Sequence, residues 1–285
     1  QPVMEFLAEQ TQGSESMVIL AGADGVLLQA LGDLHFIGRA ERVALRPGAT
    51  WCEQYRGTNA IGTSLAEMQP LVVHAGEHYL ERNGFLTCAA APILAPSGAL
   101  LGVLDVSCDH RGYHRHTLGL VRSAARMIEH RLFDTRHDPR RWSGLRLRLH
   151  GQPEGLGTLT EGLLAVGEDG LLAAANQRAL DMLGLAWRDL THVRIDEVVD
   201  EPLERLAGWA QHSPAVPRVL HTRSGMTLWT RAETGRAAHA PAAPARIAEP
   251  RAAAHDAHDA LAAIDTGDAA RRSAIARARK LAGKS

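Results

Sequence analysis

The stretch FLTCAAAPIL (residues 85–94), then APSG (95–98) and ALLGVLDVSC (99–108), decides how the chain is read. Two apolar runs of strand length flank a Pro-Ser-Gly turn, so they pair as an antiparallel hairpin. Successive side chains of a strand point to opposite faces of its sheet, and the pattern therefore assigns faces directly. Cys88, Ala90 and Pro92 share one face of the first strand, with Thr87, Ala89 and Ala91 on the other. Along the second strand, Leu104, Val106 and Cys108 stand opposite Val103, Asp105 and Ser107. The alanines leave room over the sheet for a compact ligand, and equally for a closely packed helix, which is the commoner use. Asp105 within an apolar strand is costly unless paired. Arg56 or a backbone amide is the expected partner, a structural role first.

Working outward, SMVILA (16–21) and VLLQAL (26–31) form a second hairpin around Gly-Ala-Asp-Gly, since Asp-Gly tolerates the backbone angles of a tight turn. A helix precedes it at 3–10, and another over 116–133 places Leu118, Val121, Ala125, Ile128 and Leu132 on one face. Hairpins with helices at both ends predict an α+β domain over 1–133. Residues 134–157 are a basic connector. Residues 158–235 predict a smaller α+β domain. In it, runs at 162–166 and 171–174 flank Gly-Glu-Asp-Gly, and a helix over 176–183 stops at Gly184. A polar helical stretch (195–209) and a last hairpin (219–222, 227–231) complete it. Residues 236–258, rich in Ala, Pro and His, have little apolar bulk to offset ordering entropy and are expected to be a linker. Residues 259–285 are expected to be helical.

Composition narrows the function classes. A length of 285 residues suits about two domains. Lys+Arg is 31 against Asp+Glu 32, so the charge balance argues against a dedicated nucleic-acid binder. Aromatics at 4% argue against stacking platforms for single strands. No membrane span or signal peptide is visible. Three cysteines (Cys52, Cys88, Cys108) are too few for a disulfide framework and fit a reducing cytoplasm. The ten arginines between Asp109 and His150, against four acidic residues, are expected to form a solvated helix or an interdomain coupling face.

Several side chains are candidates for chemistry. His74 and His78 lie four apart, which on a helix would put both imidazoles on one face in a zinc-like arrangement that the cysteines could complete. The preferred reading is that they line a pocket wall or a helix surface and the cysteines are small buried hydrophobes. Trp51 and Tyr55, also four apart, would bring two rings to one side as pocket lining or core. Gly57 permits an unusual backbone angle, and Thr58 or Asn59 can cap the helix starting near Ala60, with ligand contact by Asn59 a second use. The candidate ligand-binding set is Trp51, Tyr55, Asn59, His74, His78, Cys88 and Ala90. No catalytic or metal site is expected. A thiol enzyme acting on free methionine sulfoxide, or a Cys/His metal or redox sensor, are the alternatives; the first requires a nucleophilic thiolate with a close resolving cysteine.

Specific strings go further. RGTNAIGT (56–63), VHAGEHYL (73–80), LTCAAAPI (86–93) and GVLDVS (102–107) resemble the N-terminal GAF sensor of the acetoin catabolism regulators, which are sigma-54-dependent transcriptional activators. PVMEFLAEQ (2–10) and RVALRPGATWCE (42–53) extend the resemblance over about residues 1–133. GLLAVGEDGLLAAANQRALDMLGL (162–185) resembles a PAS domain, with Asn176 where such domains commonly carry Asn after their second strand. The final segment resembles the lead-in to the AAA+ ATPase of the same activators, and the sequence stops where that domain would begin. The terminal Gly283-Lys284-Ser285 is not a phosphate loop, because Ala278 occupies the position where that motif needs glycine. The resemblance implies a cytoplasmic, dimeric GAF–PAS sensor that is not itself an enzyme. It implies a small-molecule effector, an acetoin-like ketone, alcohol or diol. No cofactor is expected in this chain, since ATP and Mg belong to the missing AAA+ domain. Sigma-54 RNA polymerase and DNA would be met only through missing downstream domains, and no membrane is involved.

Overall fold

The computed structural model describes residues 2–214 and 216–235. The linker expected at 236–258, the helix expected at 259–285 and the terminal Gly283-Lys284-Ser285 lie outside the described residues. Helix α1 (Pro2–Gln10) leads into strands β1 (Ser16–Gly22) and β2 (Leu27–Gly32). Their turn needs glycine at Gly25, where φ is +76° and a Cβ would lie 2.8 Å from the backbone N of Cys52. Then come α2 (Leu34–Glu41), α3 (Glu53–Arg56), α4 (Ala60–Glu67), β3 (Leu71–His74), β4 (Leu86–Leu94) and β5 (Leu100–Asp109). The five strands form one antiparallel sheet in the order β2-β1-β5-β4-β3.

Each face of this sheet has its own core, divided as the alternation predicts. Met17, Ile19, Cys88, Ala90 and Val103 pack beneath Phe36 and Ala40 of α2, Trp51, and Ala60 and Ile61 of α4. On the opposite face Val18, Ala89, Ala91, Leu104 and Val106 pack against α1 and against Val121, Ala124 and Ala125 of helix α5 (Thr117–Arg136). The small alanines thus serve close helix packing on that side.

Strand β6 (Gly144–His150) falls inside the segment expected to be a connector, which corrects that reading. It is followed by β7 (Gly162–Val166), β8 (Leu172–Ala175), α6 (Gln177–Leu183), α7 (Ile195–Val198), α8 (Leu203–His212), β9 (Arg218–His221) and β10 (Thr227–Gly235). The second sheet runs β8-β7-β6-β10-β9, all antiparallel, with β6 at its centre. Leu145, Leu147 and Leu149 of β6 join the core under the three helices. Arg146 and Arg148 point the other way and pair with Asp134 of α5, at 2.5 and 2.8 Å, while Arg148 also pairs with Glu161. The two sheets share one connectivity, circularly permuted: the central strand is the last of its five in the first sheet and the first of its five in the second.

Helix α5 serves both sheets. Its middle covers the first, and Phe133 near its end packs on Leu163, Ala165 and Ala174 of the second. No helix among the described residues is long and apolar enough to cross a membrane.

Candidate functional site

Trp51 is fully buried in the core of the first sheet, and its indole N–H donates to Ala44 O at 3.0 Å. Tyr55 is 67% exposed. The rings do not share a wall, because α3 begins only at Glu53 and Trp51 lies before it, outside the helix. Asn59 is buried and caps α4: its Oδ1 accepts from Gly62 N at 2.9 Å, and its Nδ2 donates to Trp51 O and Gly57 O at 3.0 and 2.8 Å. Those bonds commit its amide to the fold.

The two histidines are not on a helix, contrary to the spacing argument. His74 ends β3 and is exposed, with its Nδ1 2.7 Å from Thr87 Oγ1. A single 3-10 turn (Ala75–Glu77) separates it from His78, which is buried. His78 Nδ1 lies 2.9 Å from Ala75 O, its Nε2 has no partner, and burial lowers its pKa and favours the neutral ring. Among the described residues, no three His, Cys, Asp or Glu side chains converge as metal ligands do.

Cys88 and Ala90 lie on the floor of the core beneath α2 and α4, and cross-strand pairing adds two residues to them. Cys88 is opposite Ser107 and Ala90 is opposite Asp105. Ser107 Oγ lies 2.6 Å from Asp105 Oδ2 and 3.0 Å from Cys88 Sγ, with its one proton to serve either. Asp105 is completely buried, and burial pushes its pKa to about 7 against the lowering effect of the Ser107 bond. Its Oδ1 has no hydrogen-bond partner. The partner expected for it, Arg56, instead donates to Thr50 O and Val43 O, at 3.1 and 3.4 Å, and covers the Trp51 ring. Sequence reasoning placed Asp105 and Ser107 on one face but could not register them against Cys88 and Ala90.

The two strand thiols, Cys88 and Cys108, are poor nucleophiles. Burial, then the neighbouring Asp105, pushes Cys88 well above the usual thiol value, and the same two causes push Cys108 up to about 12. Cys88 and Cys108 point to opposite faces of the sheet, so neither can resolve the other, and all three cysteines are free.

A second polar site lies between the lobes. A space of about 10 Å³, enough for one water molecule, is bounded by Leu94, Pro96, Glu129, Phe133, Asn176 and Trp187. Glu129 accepts from Leu94 N at 2.9 Å, and burial raises its pKa to about 7. Asn176 accepts from Leu163 N and Ala179 N, both at 2.9 Å, and donates to Glu161 O at 3.0 Å, so it caps α6 and ties it to β7.

The first lobe is thus a five-stranded antiparallel sheet with a polar spot on the face beneath its short helices. Residues 1–132 match the family described as GAF domain, and the first lobe is a GAF domain. Over 98% of its length the chain is 32% identical to the acetoin catabolism regulatory protein of Cupriavidus necator, covering 42% of that protein. It is 37% identical over 131 residues to the acetoin dehydrogenase operon transcriptional activator of Bacillus subtilis, 46% of this chain and 22% of that protein. It is 36% identical over 133 residues to the propane 2-monooxygenase operon transcriptional activator of Mycolicibacterium goodii, 46% of this chain and 23% of that protein. The chain therefore resembles the GAF-bearing part of transcriptional regulators of the acetoin-regulator kind, and spans less than half the length of these curated relatives.

Proposed function

We propose that this chain is the sensory region of a cytoplasmic sigma-54-dependent transcriptional activator. Its GAF lobe binds a small polar metabolite, an acetoin-like ketone, alcohol or diol, and binding controls an AAA+ ATPase that follows in the whole protein. The observation that carries the reading is the likeness to an acetoin catabolism regulatory protein across both lobes rather than across the GAF domain alone. The second lobe acts as a PAS-like relay, and the sensor works as a homodimer. ATP, Mg, sigma-54 RNA polymerase and DNA are partners of the downstream domains.

Helix α5 is the physical route for the signal, because it packs on the GAF sheet through Val121 and Ala125 and on the second sheet through Phe133. A ligand shifts such a system only by its differential affinity for two arrangements of the lobes. An effector of about six heavy atoms is bounded at roughly −1.5 kcal/mol per atom, so modest affinity is expected. Isothermal titration with short ketones, diols and alcohols tests the reading. We expect saturable binding by acetoin or a near analogue, and silence across the panel from folded protein rules out acetoin-like sensing.

A further inference from the structure

The core of the GAF lobe beneath α2 and α4 is lined mainly by apolar side chains, with a polar spot on the sheet. At that spot Asp105 is flanked across the sheet by Ile19 on β1 and Ala90 on β4. Its Oδ2 is held by Ser107 and its Oδ1 has no partner. An unmade hydrogen bond on a buried acceptor costs about 1–3 kcal/mol, more if the group is charged. Packing alone would be served better by an apolar residue of similar size.

A loop elsewhere in the lobe is polar in the same unsatisfied way. His78 Nε2 and both side-chain amide atoms of Asn83, in the loop between β3 and β4, are buried without partners. That loop lies against the connection between α3 and α4: Tyr79 N donates to Thr58 O at 3.0 Å, and the Tyr79 ring covers Gly57 so closely that a Cβ there would sit 2.3 Å from it. That loop, beside the start of α4, therefore also carries spare hydrogen-bonding capacity.

We propose that Asp105 is the hydrogen-bonding anchor of the effector subsite in the GAF lobe, and that the subsite takes a small uncharged molecule through a hydroxyl group. The inference rests on the reading that this lobe binds a metabolite. An effector hydroxyl donates to Asp105 Oδ1, while Ser107 fixes the carboxyl plane through Oδ2. The aliphatic side chains of Ile19, Ala90 and Val103 lie in the same core, and Ile19 and Ala90 flank the carboxyl across the sheet; they accept the effector's methyl groups. Burial and the Ser107 bond set the state of Asp105, and no cation enters it. A carboxylate effector would therefore meet a second acid without a counter-charge. An α-hydroxyketone or a vicinal diol carries the hydroxyl that Oδ1 takes.

Calorimetric titration of the whole chain with acetoin, 2,3-butanedione and lactate tests this on the wild type, Asp105→Ala and Asp105→Asn. We expect wild type to bind acetoin and to reject lactate. Asp105→Ala should lose at least about tenfold in acetoin affinity, the order of one buried hydrogen bond, while butanedione, which lacks the hydroxyl, changes less than about threefold. Urea unfolding of the free Asp105→Ala protein should give a midpoint no lower than wild type. If Asp105→Ala does not fold cooperatively, Asp105→Val, which also removes the acceptor, gives the same comparison, whereas Asp105→Asn keeps an acceptor and should lose less acetoin affinity than Asp105→Ala. Unchanged acetoin affinity in the folded variant, an equal loss for butanedione, or tight lactate binding overturns the subsite and leaves the sensor reading standing. Wild-type silence towards all three probes overturns the sensor reading and the subsite with it.

Discussion

Two asparagines show how much of this fold rests on single polar side chains. Asn59 and Asn176 each cap a helix through Oδ1 and use Nδ2 to hold preceding backbone: Trp51 O and Gly57 O for Asn59, Glu161 O for Asn176. Replacing such a cap by alanine costs about 1–2 kcal/mol, and each buried carbonyl left without a donor adds about 1. Asn59→Ala is therefore expected to destabilise by about 2–4 kcal/mol in urea unfolding at neutral pH. Asn59→Asp should retain the cap toward Gly62 N and lose the donors, recovering part of that cost. A ligand-contact role alone would leave the unfolding midpoint in place. Asn176 additionally sits 3.5 Å from His130 of α5, so the same kind of cap also reaches across the two lobes.

Strand β6 is the element on which sequence and structure part. The run GLRLRLH alternates strictly, as a strand half-buried on one face should, but its guanidinium groups read as solvated. They are instead held by Asp134 and Glu161, and Arg146 is only 6% exposed. An arginine stem can line an apolar layer while its head is paired, and composition alone cannot distinguish that from a surface charge. Leu147→Ala separates the two readings, since truncating a fully buried leucine costs about 2–5 kcal/mol whereas a connector residue stays within about 0.5. We expect the larger loss in the second lobe, followed by urea unfolding with far-UV circular dichroism. Other elements were legible for clear reasons. Alternation assigned both faces of β4 and β5 because each face meets its own core. The Asp-Gly hairpins and the stop at Gly184, whose φ is +68°, follow from glycine chemistry. Spacing failed where it assumed a helix: Trp51 precedes α3, and a 3-10 turn lies between His74 and His78. Cross-strand register, which brings Ser107 to both Cys88 and Asp105, is a long-range property with no local signal.

At the scale of the whole molecule, the two lobes meet through α5 and through the tip of the β4–β5 hairpin. Ala175 N donates to Pro96 O at 2.9 Å, and the Trp187 ring lies over Gly98, where φ is +85° and a Cβ would fall 2.6 Å from the indole. Glu129 sits in this seam. Its pKa is about 7 in the folded protein against 4.5 in an unfolded chain, and that of Asp105 is about 7 against 3.8. An acid whose folded pKa is raised binds more protons folded than unfolded between the two values, so stability falls as pH rises through that window. Below pH about 4 the penalty is absent, and above about 8 it is complete. Buried His78 and His137 and half-buried His130 have pKa values lowered by desolvation and act in the opposite sense, adding stability as pH rises toward 6.5. The wild-type curve mixes these effects, so the clean measurement is a difference. Glu129→Gln keeps an acceptor for Leu94 N and cannot ionise. Its stability relative to wild type should be flat or slightly lower at pH 4, rise through pH 5–7, and reach an excess on the order of 2–3 kcal/mol by pH 8. Urea unfolding at matched ionic strength reads that difference. A pH-independent difference would mean that Glu129 is ionised and solvated in the fold, and that the seam between the lobes carries no buried acid.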